Sequence, residues 1–167
     1  MYEEAKVILG LLHKREFEAY YIGGKCRNEL HNQYHSNHKI EVKDIDIVTN
    51  ADIDAIQSIF PKCTTRGESF QVAAVQFGGH EFEVATYRKD VYDMKEVKNS
   101  KKIVRPIVEK TDSLDDDRKR RDYTINAIAQ DAEGKYMDYI FFYRNKKISA
   151  IQDIKDGVIR AIGNAKE

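Results

Sequence analysis

Asp44 and Asp46 are two aspartates separated by one residue, and of all the residues in this chain their spacing best suits metal-dependent catalysis. On a strand, residues two positions apart point to the same face of the sheet. Two carboxylates on one face can hold a pair of divalent ions at about 3.5–4 Å, a separation that suits in-line phosphoryl transfer. The pattern therefore predicts that Asp44 and Asp46 are catalytic and bind divalent cations.

A glycine pair and an arginine upstream of the aspartates form a candidate phosphate-binding segment. Gly23 and Gly24 permit positive φ and close backbone approach, and a helix beginning just after them would present its N-terminus to phosphate. Arg27 would lie in the first turn of that helix and could reach the same phosphates. We assign these three residues to nucleotide binding, although a bare glycine pair is also common in ordinary turns.

Two adjacent arginines downstream, Arg120 and Arg121, indicate further ligands for a polyphosphate. They precede an apolar segment around Ile125, which suggests a fork-shaped donor aimed at a bound polyphosphate rather than simple surface charge. Asp122 and Asn126 could then hydrogen-bond the ribose or the base. With Arg121, they complete the predicted nucleotide site.

A third carboxylate is available from a predicted hairpin strand. Glu83 lies between Phe82 and Val84, which would face the opposite side of the sheet. It could act as a metal ligand or as the base that accepts the proton of an attacking hydroxyl. Glu81 would share its face, so the sequence hardly separates the two glutamates, and a solvated role for either stays open.

The apolar residues around the aspartates favour a metal site over a solvated strand edge. Ile45, Ile47 and Val48 should bury the strand, and carboxylates crowded at its end repel each other unless a cation neutralises them. The histidines at 31, 35 and 38 fit no standard zinc spacing and are interpreted as loop residues.

Composition narrows the class of protein. The chain has 167 residues, enough for one domain, and carries no net charge, so any nucleic-acid contact needs a local basic patch. One candidate comprises residues 95–102, Arg105, Lys110 and residues 118–121, with a solvated polar loop as its alternative.

The sequence also bears on the compartment. No run of apolar residues is long enough to span a membrane, and charged residues interrupt the apolar core that a signal peptide would need at the N-terminus. A cytoplasmic protein is therefore expected, with both cysteines reduced.

Hydrophobic periodicity predicts a mixed sheet flanked by helices, an α/β or α+β fold. Helices are predicted over residues 2–17, from about residue 25, after an N-cap at Asp52, and from Ser113. Residues 31–43 and 88–112 are predicted as loops, residues 123–130 as helix or strand, and residues 152–162 as mixed. Strands are predicted over residues 18–22, 45–48, 63–66, 71–77, 81–86 and 136–140, with a hairpin turn at Gly78-Gly79.

Several motifs together resemble class II tRNA CCA-adding enzymes and bacterial poly(A) polymerases. The likeness runs from Tyr21 to the last residues in the family's own order. It is carried by IGGKCR (22–27), KDIDIVT (43–49), GESF (67–70), FEVATYR (82–88), the stretch 113–129 containing RRDYTINA, and DGVIRAIGN (156–164).

The resemblance implies a polymerase β-like nucleotidyltransferase head that uses Mg²⁺. By resemblance, Asp44 and Asp46 would hold the metal, Gly24, Arg27 and Arg121 would contact a ribonucleoside triphosphate, and Asp122 would help to choose ribose. The 3′ hydroxyl of an RNA, with a tRNA 3′ end favoured, would attack the α-phosphate of CTP or ATP. Residues 1–140 would form the catalytic head and residues 141–167 the start of a neck.

The chain departs from the family pattern at three points. Asn28 stands where the family usually has aspartate, and the loop at residues 31–43 is longer than usual. The chain also ends at Glu167, before the neck motif that reads the base, so a minimal head or a partner subunit supplying neck and body is expected. Two alternatives stay open: a nucleotidyltransferase acting on a protein or small molecule, and a non-catalytic nucleotide-binding regulatory module.

Overall fold

The computed structural model of the chain describes residues 1–67, 72–92, 98–99 and 104–163. Within them, the helices are α1 (Tyr2–Lys14), α2 (Gly24–Tyr34), α3 (Ile53–Ile59), α4 (Leu114–Lys119) and α5 (Ala150–Asp156), and a 3₁₀ turn spans Thr124–Asn126. The strands are β1 (Ala19–Ile22), β2 (Asp46–Thr49), β3 (Cys63–Arg66), β4 (Val72–Phe77), β5 (His80–Thr86), β6 (Arg88–Val91), β7 (Ile107–Lys110), β8 (Ala129–Gln130), β9 (Tyr136–Met137), β10 (Ile140–Tyr143) and β11 (Lys146–Ser149).

A mixed sheet forms the centre of the described residues. Seven strands lie in the order β3-β4-β5-β2-β1-β8-β9, and the pair β2–β5 is parallel while the other neighbours are antiparallel. Two further pairs, β6–β7 and β10–β11, form separate two-stranded sheets. The predicted mixed sheet flanked by helices is confirmed.

The two faces of the sheet bury apolar clusters of different size. Alternate residues such as Tyr21, Ile47 and Val84 point into the larger core, where α1, α2 and α3 bury their apolar sides. The opposite face carries a smaller cluster that includes Ile22, Val48, Tyr87, Leu114 and Ala129. Because Leu114 belongs to α4, this helix lies on the smaller face. Asp46 shares that face with Val48, two residues along the strand.

Local signals placed several elements correctly. Asp52 caps α3 by accepting a hydrogen bond from the Ala55 amide at 2.8 Å, and Ser113 caps α4 through the Asp116 amide at 3.2 Å. Gly78 and Gly79, with φ of +57° and +82°, form the turn between β4 and β5. The ambiguous segment at residues 123–130 contains both a 3₁₀ turn and strand β8.

Two predicted loops are partly regular structure, so those predictions were wrong in part. Helix α2 continues to Tyr34 rather than ending before His31, and the imidazole Nε2 atoms of His31 and His35 contact the carbonyl oxygens of His38 and Ile154 at 2.8 and 2.7 Å. The charged stretch 88–112 contains β6 and β7, which pair from Arg88 with Lys110 to Val91 with Ile107. Their side chains are mostly half-exposed, so no strong apolar alternation marked them.

The C-terminal part of the described chain folds back on the sheet. Helix α5 buries Ala150 and Ile154, while Ile140, Phe142 and Ile159 are 47, 74 and 72% exposed. The apolar cluster at residues 140–159 predicts an exposed surface if a partner completes the head. Ile140, Phe142 and Ile159 provide part of such a surface, but Ile148 and Ile154, which belong to the same cluster, are buried at 6 and 5% exposure. The division of the chain at residue 140 stays a prediction. No helix within the described residues combines the length and apolar character needed to cross a bilayer.

Candidate functional site

A cleft of about 480 Å³ is lined by all of the residues that the sequence predicted for nucleotide binding. It is lined by Gly23, Gly24, Arg27, Asp46, Arg120, Arg121, Asp122 and Asn126. These residues come from the β1–α2 junction, the start of β2, the end of α4 and the 3₁₀ turn. The fold therefore brings together segments that are about a hundred residues apart in the chain.

Asp46 is the first residue of β2 and lies between two neighbouring strands. It pairs with Ile22 of β1 and, in parallel register, with Glu83 of β5. Burial raises the pKa of Asp46 above its usual range, and the carboxylates of Glu83 and Asp44 raise it further, while the Arg121 guanidinium opposes them. Burial is thus the main cause of the raised pKa, and the carboxylates of Glu83 and Asp44 add to it from either side of Asp46.

Asp44 and Glu83 flank Asp46 but are not among the residues that line the cleft. Asp44 precedes the first residue of β2 and is exposed, so the two aspartates do not both lie within the strand, as the sequence pattern assumed. Glu83 lies on β5 with its side chain 53% exposed, and its carboxylate is 3.8 Å from Arg66. All three carboxylates are exposed or half-exposed around the start of β2, between the central strands of the sheet.

The ambiguity between Glu81 and Glu83 is resolved by their partners. Glu81 accepts hydrogen bonds from Arg66 at 2.7 Å and from Gln76 at 2.6 Å, near the turn between β4 and β5. Glu83 is the register partner of Asp46 and contributes to the shift of its pKa. Of the two glutamates, Glu83 is therefore the one beside the aspartates.

The carboxylates fit the donor set that Mg²⁺ prefers, which is oxygen from one or two carboxylates completed by water and substrate phosphates. The raised pKa of Asp46 records a repulsion that a bound cation would relieve. Within the described residues, no group of three or more His, Cys, Asp or Glu side chains is arranged to hold a metal by itself. Asp44 and Asp46 thus suit an ion that also binds a phosphate ligand.

The junction between β1 and α2 brings backbone close to Asp46. Gly23 has φ of +74°, a left-handed conformation that favours glycine, and a Cβ added there would lie 3.9 Å from the Asp46 carboxylate. Gly23 precedes α2, an eleven-residue helix whose free amides and dipole favour an anion at this end. The pair of glycines thus leaves the helix terminus open to the cleft.

Three polar side chains form a chain across the cleft. The Arg27 guanidinium donates to the Asn126 amide oxygen at 2.6 Å, and the Asn126 amide nitrogen donates to Asp122 at 2.9 Å. The bond from Asn126, with help from the Tyr123 backbone amide, holds the pKa of Asp122 below its usual range. Arg27 and Asp122 are therefore held at a set separation by Asn126.

The adjacent arginines are each held by an acidic residue that sequence reasoning did not single out. Arg121 donates to Asp117 at 3.0 Å, and Asp117, which is 1% exposed, also accepts from the Arg88 backbone amide at 3.1 Å. Arg120 donates to Asp90 at 3.2 Å. The four-residue spacing of Asp117 and Arg121 on a predicted helix was an available signal, whereas nothing local linked Asp90 to Arg120.

Helix α4 is anchored by Arg118, a buried cation with an unusual set of acceptors. Its guanidinium donates to the backbone carbonyls of Ala127 at 2.8 Å, Met137 at 2.9 Å and Asp138 at 2.5 Å. The Asp138 carboxylate in turn accepts from Ser149 and from the Ile151 amide at the start of α5. Arg118 therefore joins α4, the helix that ends just before Arg120 and Arg121, to the C-terminal segment.

Asn28, the position that departs from the family pattern, still contacts Arg27. Its side-chain oxygen accepts from the Arg27 Nε at 3.0 Å, and its amide nitrogen lies 3.4 Å from the Glu41 carbonyl oxygen. The neutral amide accepts one hydrogen bond from the guanidinium and also donates to the loop that follows α2. Asn28 therefore contacts Arg27 without adding a negative charge.

Comparison with known proteins shows the family to which this chain belongs. A family model described as the poly A polymerase head domain matches residues 19–160. The chain belongs to this family. It is 35% identical over 168 residues to a CCA-adding enzyme of Staphylococcus saprophyticus and 33% identical over 168 residues to one of Bacillus licheniformis. These matches cover the whole of the chain but 37% of the length of either relative.

Solved structures agree with the fold. A CCA-adding enzyme of Bacillus stearothermophilus, crystallised in complex with CTP, matches 99% of the chain with a TM-score of 0.76 and 29% identity, and the match covers 34% of that enzyme. A Thermotoga maritima CCA-adding enzyme complexed with tRNA matches 95% of the chain at a TM-score of 0.62 and 21% identity, which bears on the fold alone. The chain thus corresponds to the head of larger enzymes.

Proposed function

We propose that this chain is the catalytic head of an Mg²⁺-dependent RNA nucleotidyltransferase that adds CTP- and ATP-derived nucleotides to an RNA 3′ end, with tRNA as the acceptor. The observation that carries the proposal is the cleft in which Asp46, Arg27, Arg121 and Asp122 converge. Membership of the family and the names of its relatives support the same reaction.

Binding of the triphosphate would use the cations and the helix terminus of the cleft. Arg27 and Arg121 would contact phosphate oxygens, and the open backbone at Gly23 and Gly24 would let them approach the first turn of α2. Because Asp117 already orients Arg121, the donor needs little reorganisation when nucleotide binds. Most of the catalysis would come from positioning and from neutralising charge.

Asp122 would recognise the sugar, because it ends the series of hydrogen bonds that runs from Arg27 through Asn126. Asp122 is an ionised acceptor of lowered pKa beside Asn126, which suits hydrogen bonding to a ribose hydroxyl. Since Asn126 also binds Arg27, the contact to the sugar and the contact to the phosphates would be set together. A ribonucleotide would satisfy both ends at once.

In the reaction itself, the 3′ oxygen of the RNA forms a bond to the α-phosphorus, and the bond to the β-phosphate breaks, releasing pyrophosphate. Glu83 would accept the proton of the attacking hydroxyl. Mg²⁺ held by Asp44 and Asp46 would supply charge neutralisation at the triphosphate and acidify the hydroxyl. The roles of these three carboxylates are assigned from their crowding around Asp46.

The larger assembly is also part of the proposal. Residues 1–140 would form the head and residues 141–167 the start of a neck. The exposed apolar side chains of Ile140, Phe142 and Ile159 would contact further protein, supplied by a partner subunit or by the rest of a longer chain. Such protein would carry the surface that reads the base and grips the body of tRNA.

A single experiment tests the activity. The purified chain is incubated with Mg²⁺, each labelled ribonucleoside triphosphate and tRNA lacking its 3′ terminal nucleotides, and products are resolved by length. We expect CMP and AMP at the 3′ end, and loss of both in Asp46→Ala. Label found in protein or a small molecule would support the alternative acceptor, and nucleotide binding without transfer at any RNA end would contradict the proposal.

A further inference from the structure

Lys25 is a buried cation that the proposed reaction does not use. It is the second residue of α2, directly after Gly24, and its side chain is 5% exposed. Lysine is almost never fully buried in proteins unless its charge is paired. Lys25 does not line the nucleotide cleft, although both Gly24 and Arg27 do. Its ammonium therefore makes its contacts inside the protein.

Four side chains surround the Lys25 ammonium. It donates to the Gln130 amide oxygen at 2.6 Å and lies 2.8 Å from the Glu29 carboxylate, one turn further along α2. It also lies over the ring of Tyr21, 4.5 Å from the centroid, and 5.5 Å from the ring centroid of Tyr2. The buried charge is thus paired with a carboxylate and bound by an amide and two aromatic faces.

The partners of Lys25 are themselves tied to the sheet. Gln130 belongs to β8, and its amide nitrogen donates to the Gly134 carbonyl oxygen at 3.0 Å. Glu29 accepts at 2.7 Å from the hydroxyl of Tyr136 on β9. Burial, and after it the bond to Glu29, raises the pKa of Tyr136 above its usual range, so the phenol stays a donor. Lys25 therefore fastens the start of α2 to the β8–β9 edge of the central sheet.

Lys25 and Arg27 leave α2 on opposite sides, because two residues along an α-helix are separated by a rotation of about 200°. The buried ammonium thus holds the first turn from one side, while the Arg27 guanidinium lines the cleft on the other. Gly23 at the N-cap has no side chain with which to bind the first amides, unlike Asp52 and Ser113 on α3 and α4. The position of this open turn therefore depends on contacts such as those of Lys25.

Apolar packing by itself would place the turn less accurately. Cys26 and Leu30 of α2 lie in the larger core, but hydrophobic contact is non-directional. The bonds of Lys25 to Gln130 and Glu29 have narrow limits of distance and angle, and one of them joins two charges. Such limits matter here, since a misplacement of about 1 Å can cost about 10²-fold in rate.

We propose that Lys25 is a positioning residue for the nucleotide, because its ammonium sets the place of the first turn of α2 and thereby of Gly24 and Arg27. The inference rests on the proposed function, since the ligand is the nucleotide of that reaction. Lys25 does not touch the nucleotide and acts through the backbone of α2. Loss of the ammonium should therefore weaken the binding of nucleotide and leave the binding of RNA unchanged.

Lys25→Met in the full chain tests this role, because methionine keeps an unbranched side chain but removes the charge and the donor. CTP with Mg²⁺ is titrated calorimetrically without RNA, at a temperature at which circular dichroism shows wild type and variant to be folded. We expect the Kd for CTP to rise about 10-fold. In transfer assays the KM for CTP should rise likewise, while kcat and the KM for RNA stay close to those of the wild type.

Glu29→Gln separates positioning from a change in the electrostatic field. Removing a negative charge from α2 would by itself favour a bound triphosphate, so a field effect predicts tighter binding. Positioning predicts the opposite, because a neutral amide holds the Lys25 ammonium less strongly, and we expect the Kd for CTP to rise about 2–3-fold. Glu29 does not line the cleft, and the variant keeps the size of the side chain. It therefore tests the role even if Lys25→Met fails to fold.

Ile56→Val controls for lost stability. Ile56 is fully buried on α3 and does not line the cleft, so the variant should lower the melting temperature and leave the Kd for CTP unchanged. An affinity for CTP that falls in Ile56→Val as much as in Lys25→Met would show that general loosening of the fold weakens binding, and would overturn the inference.

The inference is also overturned by an unchanged affinity for CTP in Lys25→Met, by tighter binding in Glu29→Gln, or by an equal rise in the KM for RNA. In each case the wild type still extends RNA, and the proposed function stands. A wild type that binds CTP but extends no RNA overturns the proposed function alone. A wild type that binds no nucleotide overturns both.

Discussion

Asp46 and Glu83 are register partners on the parallel strands β2 and β5, so their carboxylates project from the same face of the sheet. Glu83→Gln should therefore lower kcat by about 10²–10⁴-fold, the usual contribution of a general base. Glu81→Gln is the matched control, because Glu81 lies two residues away on β5 and contacts Arg66 and Gln76 instead. Equal losses in the two variants would contradict a catalytic role for Glu83.

Asp46→Asn should abolish transfer and yet stabilise the metal-free protein at neutral pH. The raised pKa of Asp46 means that the folded state binds a proton more tightly than the unfolded state. The free energy of unfolding therefore falls as pH rises from the unfolded pKa to the folded pKa, and the cost is largest above the folded pKa. With solvent screening of this partly exposed group, we expect a gain of about 0.5–1 kcal/mol and about 1–4 °C in Tm.

The pH dependence of that gain distinguishes charge repulsion from packing. Below the raised pKa of Asp46 the wild type is protonated, so the difference between wild type and Asp46→Asn should disappear in acid. Thermal melts of both proteins at a series of pH values measure this difference in stability. A gain of the same size at every pH would show that the amide simply packs better.

The acid limb of the activity profile should move to lower pH as the Mg²⁺ concentration rises. A metal ion and a proton compete for the Asp46 carboxylate, so more metal lowers the pH at which half of the sites are protonated. Asp122 does not confuse the measurement, because its pKa lies below the usual range. Initial rates measured with saturating nucleotide at several Mg²⁺ concentrations test this shift of the acid limb. An acid limb at the same pH for every Mg²⁺ concentration would contradict metal binding by Asp46.

Asp117→Asn should weaken nucleotide binding although Asp117 does not line the cleft. Its buried carboxylate orients Arg121 and accepts from the Arg88 amide, so the variant loses a charge-assisted bond worth about 1.5–3 kcal/mol. We expect kcat/KM for nucleotide to fall about 10–100-fold, with a larger effect on the KM for nucleotide than for RNA. Asp115→Asn, a change at a side chain that is 77% exposed on the same helix, should change neither.

Asp122→Asn should reduce the preference for ribonucleotides over deoxyribonucleotides by about 10-fold, the effect of about 1.4 kcal/mol in one hydrogen bond to the 2′ hydroxyl. Comparing kcat/KM for CTP and dCTP measures it. Asp156→Asn, at an exposed carboxylate on α5 that accepts from Gln152, is the control. An unchanged ratio in Asp122→Asn would remove Asp122 from sugar recognition.

Short-range features of this fold could be predicted from the sequence because their causes lie within a few residues. The cap at Asp52, the cap at Ser113 and the Gly78-Gly79 turn each depend on local hydrogen bonds or local backbone freedom. The β6–β7 pair lacked such a signal, since a charged, half-exposed pair of strands resembles a polar loop.

The sequence could propose residues for the candidate site but not their geometry. Asp44, Asp46, Arg27 and Arg121 were proposed from their motifs, and their roles stay predictions. The pairing of Asp46 with Glu83 depends on a parallel contact between remote strands. A sequence does not specify which strands become neighbours, so Glu81 and Glu83 could not be separated. The link from Arg120 to Asp90 is equally remote, because the two residues are 30 positions apart in the chain.

Arg118, three residues before Arg121, gives α4 a structural role that extends beyond the helix. Its guanidinium donates to the backbone carbonyls of Ala127, Met137 and Asp138. Because Asp138 also accepts from Ser149 and from the Ile151 amide, one buried cation links α4, the backbone around β8 and β9, and the start of α5. The arginines that follow α4 are therefore attached to the C-terminal segment through contacts that lie outside the cleft.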